Sequence, residues 1–175
     1  MTGLEVITCA TFPREGDSAM HDLARAFRAG DLSAFAEVLA LVQPVLAAQA
    51  GWVFRERTLA VAAPGHLAGS VNAPCERLIA EVARSIPSLV PAPGALVRVA
   101  DAPQARDAIT RDDAAEAPTL EWRVDGLAAG VARILLIDDV VRTGGTLAAA
   151  RRAAPPGIAE RLTALAVFRA EPSVW

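Results

Sequence analysis

Arg133-Ile134-Leu135-Leu136-Ile137-Asp138-Asp139-Val140-Val141-Arg142-Thr143-Gly144-Gly145-Thr146-Leu147 is the stretch on which the reading of this 175-residue chain turns. Residues 133–137 form its clearest core strand, running directly into two aspartates, and a helix is expected after Gly145, continuing to about Ala153. In open parallel sheets, ligands bind beyond the carboxyl ends of the strands, so the acids and the turn stand where a site belongs. Gly144 and Gly145 permit positive φ and close backbone approach, so successive N–H groups can converge on a phosphate at a helix N-terminus. Thr143 and Thr146 add hydroxyl donors. Carboxylates repel phosphate, but as acceptors Asp138 and Asp139 suit the vicinal hydroxyls of a ribose. Diol and phosphate together describe ribose 5-phosphate. Arg142 adds a fixed positive charge that can pair with the phosphate or with an aspartate; the sequence leaves both open. Each piece alone also fits a solvated strand end or an ordinary turn, and it is the ordered combination that points to a ligand.

Outward from this stretch, the chain reads as alternating strands and helices. A short strand is expected over Leu4 to Thr8, then a helix from Ser18 to Ala29 with Met20, Leu23, Ala24 and Phe27 as its apolar face, ended by Gly30. A second helix, capped by Asp31 or Ser33, presents Phe35, Leu39, Val42 and Leu46 and is expected to bend or stop near Pro44. Thr58 to Ala63 is almost wholly apolar and closed by Pro64-Gly65, the form of a strand buried on both faces, and His66 follows in a loop. Asn72 caps a helix to Ile86 with the stripe Cys75, Leu78, Ile79, Val82 and Ile86. Ala95 to Val99 is a further strand candidate, and 101–118 is a polar, proline-bounded stretch long enough to be a functional lid. Leu120, Trp122 and Val124 alternate as in a half-buried strand, with a turn at Asp125-Gly126, and Leu162 to Phe168 closes the sheet. The expectation is one α/β domain over 1–175: a helical N-terminal part to residue 55, then a core over 56–175 with the lid at about 101–124.

Composition narrows the chemistry. A hydrophobic content of 53% with 21% charged residues is that of a globular chain, and a net charge of -3 argues against a nucleic-acid surface. All 17 basic residues are arginine, so Schiff-base chemistry and a Walker-type phosphate loop are excluded. Cys9 and Cys75 lack metal-ligand spacing and are expected as free thiols, consistent with a reducing compartment. Met1 to Phe12 lacks the pattern of a secretory leader, and the apolar window Ala36 to Phe54 is broken by Glu37, Gln43, Pro44 and Gln49. A cytoplasmic location without membrane segment follows as the expectation. His21 is expected to be solvated, and Trp122 to belong to the core.

The stretch Ile134 to Leu147 resembles the signature of type I phosphoribosyltransferases. That resemblance implies that Asp138 and Asp139 hold the ribose hydroxyls of phosphoribosyl pyrophosphate, while Arg142, Thr143, Gly144, Gly145 and Thr146 bind its 5-phosphate. It implies the fold too, a parallel sheet flanked by helices with a small hood or lid. The order of the other segments is similar to the competence protein F (ComF) branch: the Met20 to Val42 helices, the Val61-Ala62-Ala63-Pro64 strand end, Gly69-Ser70-Val71-Asn72-Ala73 before a helix, and Arg98-Val99-Ala100-Asp101-Ala102-Pro103-Gln104. By that resemblance Ala63, Pro64, Gly65 and His66 form the pyrophosphate loop and the 101–118 stretch is the mobile lid. Members of the branch usually carry a basic stretch before Asn72 and an R-x-x-N in the lid, where this chain has Leu67-Ala68-Gly69-Ser70 and Arg111-Asp112-Asp113-Ala114.

The resulting expectation is a transferase acting on a small phosphoribosyl ligand, with Mg²⁺ carried in by the diphosphate and an unidentified nitrogen nucleophile as acceptor. A homodimer is compatible with it, and no direct nucleic-acid partner is expected. The alternative is a non-catalytic phosphoribosyl or nucleotide sensor, or an accessory protein of DNA uptake, which keeps the 5-phosphate loop without a working pyrophosphate site. His66 reads equally as a pyrophosphate donor or as an ordinary loop histidine. Arg106 and Arg111 fit surface pairing at least as well as pyrophosphate contact.

Overall fold

The apolar runs Thr58–Ala62 (β2) and Arg133–Val141 (β6) lie side by side and parallel, in register from Thr58 opposite Arg133 to Ala62 opposite Ile137. Around this pair the computed structural model, which describes residues 4–13, 18–49, 51, 55–100, 119–123 and 130–171, builds a five-stranded, wholly parallel sheet. The remaining elements are β1 (Glu5–Pro13), α1 (Ala19–Arg28), α2 (Leu32–Ala48), α3 (Ala73–Ser85), β3 (Leu89–Pro91), β4 (Leu96–Arg98), β5 (Leu120–Trp122), α4 (Gly145–Ala153) and β7 (Leu162–Glu171). The sheet order is β1-β7-β6-β2-β3, and β4 with β5 forms a separate antiparallel pair.

Period-two alternation sends the central strands' side chains into two apolar layers. Ala60, Ala62, Leu135, Ile137 and Leu165 face α1, α2 and α3. Leu59, Val61, Ile134, Leu136 and Ala164 face α4 and the β4–β5 pair. Strands covered on both faces need continuous apolar sequence, which these have. Among the described residues this is an α/β sheet flanked by α1 to α4, compatible with a Rossmann-like fold.

Several expectations from sequence need correction. The N-terminal part is not only helical: β1 extends past Thr8 to Pro13 because it pairs with β7 from Glu5 opposite Thr163 to Pro13 opposite Glu171. β6 does not end before the aspartates; Asp138 opposes Ala166, and the strand runs on to Val141. Pro44 neither stops nor ends α2, which continues to Ala48. Pro44 and Ala40, whose carbonyl loses its partner, both lie on the exposed face, where water is available. The buried stripe of α2 is Ala34, Val38, Val42 and Leu46, with Phe35 and Leu39 only half-buried, because an apolar helix surface leaves the sheet to choose the face. Ala95 to Val99 contributes β4 to the small antiparallel pair rather than a strand of the main sheet, and β3 has too short an apolar run to be read beforehand. His21 is half-buried, its ring 5.5 Å from that of Phe12. Trp122 is buried, and both cysteines are free thiols.

The proposed lid over 101–118, with Arg106 and Arg111, and the turn at Asp125-Gly126 lie outside the described residues. No single helix among the described residues is long and apolar enough to cross a membrane; α1 and α2, apolar in sum, meet at 114°.

Candidate active site at the β2–β6 switch point

From β2 the chain moves outward to β3, whereas from β6 it moves the opposite way to β7. The crevice between the carboxyl ends of β2 and β6 is therefore a topological switch point, the place where open α/β sheets hold ligands. A cavity of about 550 Å³ lies there. It is lined by Pro64, Gly65 and His66 after β2, by Asn72 and Pro74 at the start of α3, and by Asp138 through Thr146 at the end of β6 and the start of α4. Every residue expected of the site lines this cavity except Ala63, which is buried in the β4–β5 layer and donates its backbone N–H to the Ile137 carbonyl at 2.7 Å.

Local sequence explains how the turn before α4 is made. Gly144 takes φ +77° at the N-cap of α4, a left-handed conformation that glycine adopts without a Cβ penalty. It offers no side chain to cap the helix, so the first-turn N–H groups are left for another acceptor. The Gly145 N–H is held by the Thr143 hydroxyl at 3.3 Å, an arrangement a stronger anion can replace. Arg142 and Thr143 are exposed at the rim.

The loop after β2 is tied as well. The Gly65 N–H donates to the Ser70 carbonyl at 3.3 Å, and a Cβ on Gly65 would run into the Ser70 hydroxyl, which itself donates to the Leu67 carbonyl at 2.7 Å. His66 is exposed on this loop. Asn72 caps α3 through its Oδ1, which accepts from the Cys75 N–H at 3.3 Å.

The aspartates are almost buried, at 8% and 7% exposure. Burial and the neighbouring Asp139 charge push the Asp138 carboxyl well above its ordinary range, while Arg28 opposes the shift. Cys75, wholly buried in α3, has its thiol pushed well up by burial and then by both aspartates, so it is no nucleophile at neutral pH.

Two arginines complete the site, and neither was assigned from sequence. Arg28, the last residue of α1, places Nε 2.7 Å from Asp139 Oδ2. The aspartate's partner is thus Arg28 and not Arg142; 111 positions of sequence separation left no local signal for it. Arg98, 5% exposed, donates from Nε to the Gly65 carbonyl at 2.7 Å, and its Nη1 has no hydrogen-bond partner among the described residues. Desolvation lowers its pKa, with the Asp138 charge acting the other way. A legible signal did exist here: in the alternation of β4, Arg98 shares the inward face with Leu96, where a charge is costly unless it serves a site.

The arrangement therefore brings two carboxyls, the N-terminus of α4 and positive charge from two separate elements to one cavity. Among the described residues no three metal-ligating side chains cluster. With Asp139 held by Arg28 at one oxygen and both carboxyls almost buried, the pair does not form a metal cage. A Mg²⁺ carried by phosphate oxygens and waters needs no such cage. No family model, curated protein or solved structure matches this chain.

Proposed function

We propose that the cavity binds the ribose 5-phosphate unit of phosphoribosyl pyrophosphate and that the protein is a phosphoribosyltransferase of the type I kind. One observation carries this reading: Asp138, Asp139 and the 142–146 turn line a single cavity at the switch point. The ribose hydroxyls donate to the aspartates, and the 5-phosphate takes the N–H groups of Gly144 to Thr146. In the reaction a nitrogen lone pair forms the bond to the anomeric carbon. The bond to pyrophosphate breaks on the opposite face, pyrophosphate leaves with the electron pair, and the nitrogen loses a proton to water. Mg²⁺, arriving as part of the substrate, neutralises charge on the departing oxygens. Arg98 and the Gly65-His66 turn lie on the β2 side of the cavity, where the diphosphate is expected.

A second reading, a sensor of phosphoribosyl ligands without transfer, is favoured by a specific feature. Residues 65–70 carry no arginine, Arg28 is committed to Asp139, and Arg98 already donates to Gly65. Calorimetric titration with phosphoribosyl pyrophosphate and with ribose 5-phosphate, each with and without Mg²⁺, separates the two. A tighter, Mg²⁺-dependent diphosphate supports the transferase; equal, metal-independent binding of both ligands supports the sensor. Asp138→Asn combined with Asp139→Asn is expected to weaken ribose 5-phosphate by about 100-fold or more, since charge-assisted hydrogen bonds contribute roughly 1.5–3 kcal/mol each. Affinity surviving in the double variant would refute the site.

A further inference from the structure

Arg28 is, among the described residues, the one from α1 and α2 that lines the cavity. It closes α1, which is anchored by Leu23, Ala24 and the almost wholly buried Phe27, and Gly30, at φ +83°, turns the chain at once into α2. The guanidinium is fixed at Asp139 Oδ2 although its side chain is 53% exposed, while that of Asp139 is only 10% exposed. The acidic pair faces Arg28 from α1, the neutral thiol of Cys75 from α3 and the Arg98 guanidinium from β4. Glu76 of α3 also acts on that thiol, and its Oε1 accepts the Gly94 N–H.

Two neighbouring carboxyls withdrawn from water tend to share a proton. A shared proton turns one acceptor into a donor, which then opposes the hydroxyls of a diol instead of accepting from them. An arginine on one of the pair opposes this, and here it engages a single oxygen of that carboxylate.

We infer that Arg28 is a positioning residue: it holds Asp139 by one oxygen and biases the acidic pair toward the ionised form that accepts from the sugar hydroxyls, making the α1–α2 corner part of the sugar site. This rests on the ribose reading given above. It adds that sugar recognition depends on the N-terminal helices, whereas phosphate recognition at 142–146 does not.

The test uses the full chain as wild type, Arg28→Ala and Arg28→Lys. The first readout needs no ligand: titration of the Asp138 and Asp139 carboxyl carbons by ¹³C NMR. Arg28→Ala is expected to move the pair's midpoint up by about one unit, the ordinary effect of losing an adjacent opposite charge, and Arg28→Lys to restore most of it. The second readout is calorimetry with ribose 5-phosphate and with inorganic phosphate across pH. Arg28→Ala should weaken ribose 5-phosphate by about tenfold on the acid limb, with the gap closing on the alkaline limb, and leave inorganic phosphate unchanged. An unmoved midpoint overturns the inference. So does an equal loss at every pH, which marks direct contact with the ligand, or an equal loss for inorganic phosphate, which marks general damage. Wild-type protein that ignores ribose 5-phosphate refutes the proposed function instead, and the carboxyl titration then still decides whether Arg28 governs the pair.

Discussion

Asp138 shows what a buried acid costs the fold. Its folded-state pKa lies above the ordinary 3.8, so between those two values the unfolded chain releases the proton that the native state keeps. Stability contributed by the protonated form is complete below the ordinary value and is lost as pH rises through that window. Asp138→Asn removes the penalty. Its thermal midpoint should therefore match wild type below the ordinary carboxylate range and exceed it increasingly as pH rises above that range, as followed by circular dichroism. A constant difference across that range would mean that burial of the charge is not what the site pays in stability. Gain of stability with loss of ligand binding is the usual signature of a functional residue.

At the scale of elements, α4 matters because its N-terminus lines the cavity and its C-terminal carbonyls must still be satisfied. Trp122 of β5 does part of this, donating its indole N–H to the Ala150 carbonyl at 2.8 Å in a buried setting. Trp122→Phe keeps most of the apolar contact but leaves that carbonyl without its partner. A loss of about 1–3 kcal/mol in urea unfolding is expected, with the slope unchanged. A loss below about 0.5 kcal/mol would show that water replaces the indole readily. The same pair of elements ties the β4–β5 ribbon, and with it Arg98, to the helix that begins at the 142–146 turn.

For the whole molecule, the cavity draws on the loop after β2, on α3, β4, β6, α4 and the end of α1. A ligand bound there stabilises the folded state by mass action, about 2.7 kcal/mol at one hundred times its dissociation constant. Ribose 5-phosphate should accordingly raise the thermal midpoint of wild type in a concentration-dependent way. Ribose alone should not do so at the same concentrations, because it forgoes the charge-assisted contacts at the anion turn. Equal shifts with both would place recognition in the sugar alone and remove the role given to 142–146.

The sequence by itself determined whatever depends on neighbours in the chain. The apolar strand before Asp138, the glycine turn after it, the caps at Asp31 and Asn72 and the stripe of α3 all follow from local spacing, since period, φ freedom and capping act over a few residues. Tertiary structure alone decided the full lengths of β1 and β6, because a strand ends where its partner ends. It also chose the buried face of α2, whose apolar residues run around the helix. Above all it brought Arg28 to Asp139 and Arg98 to Gly65, pairings across 111 and 33 positions that charge attraction can reward only after the sheet has placed their backbones within reach.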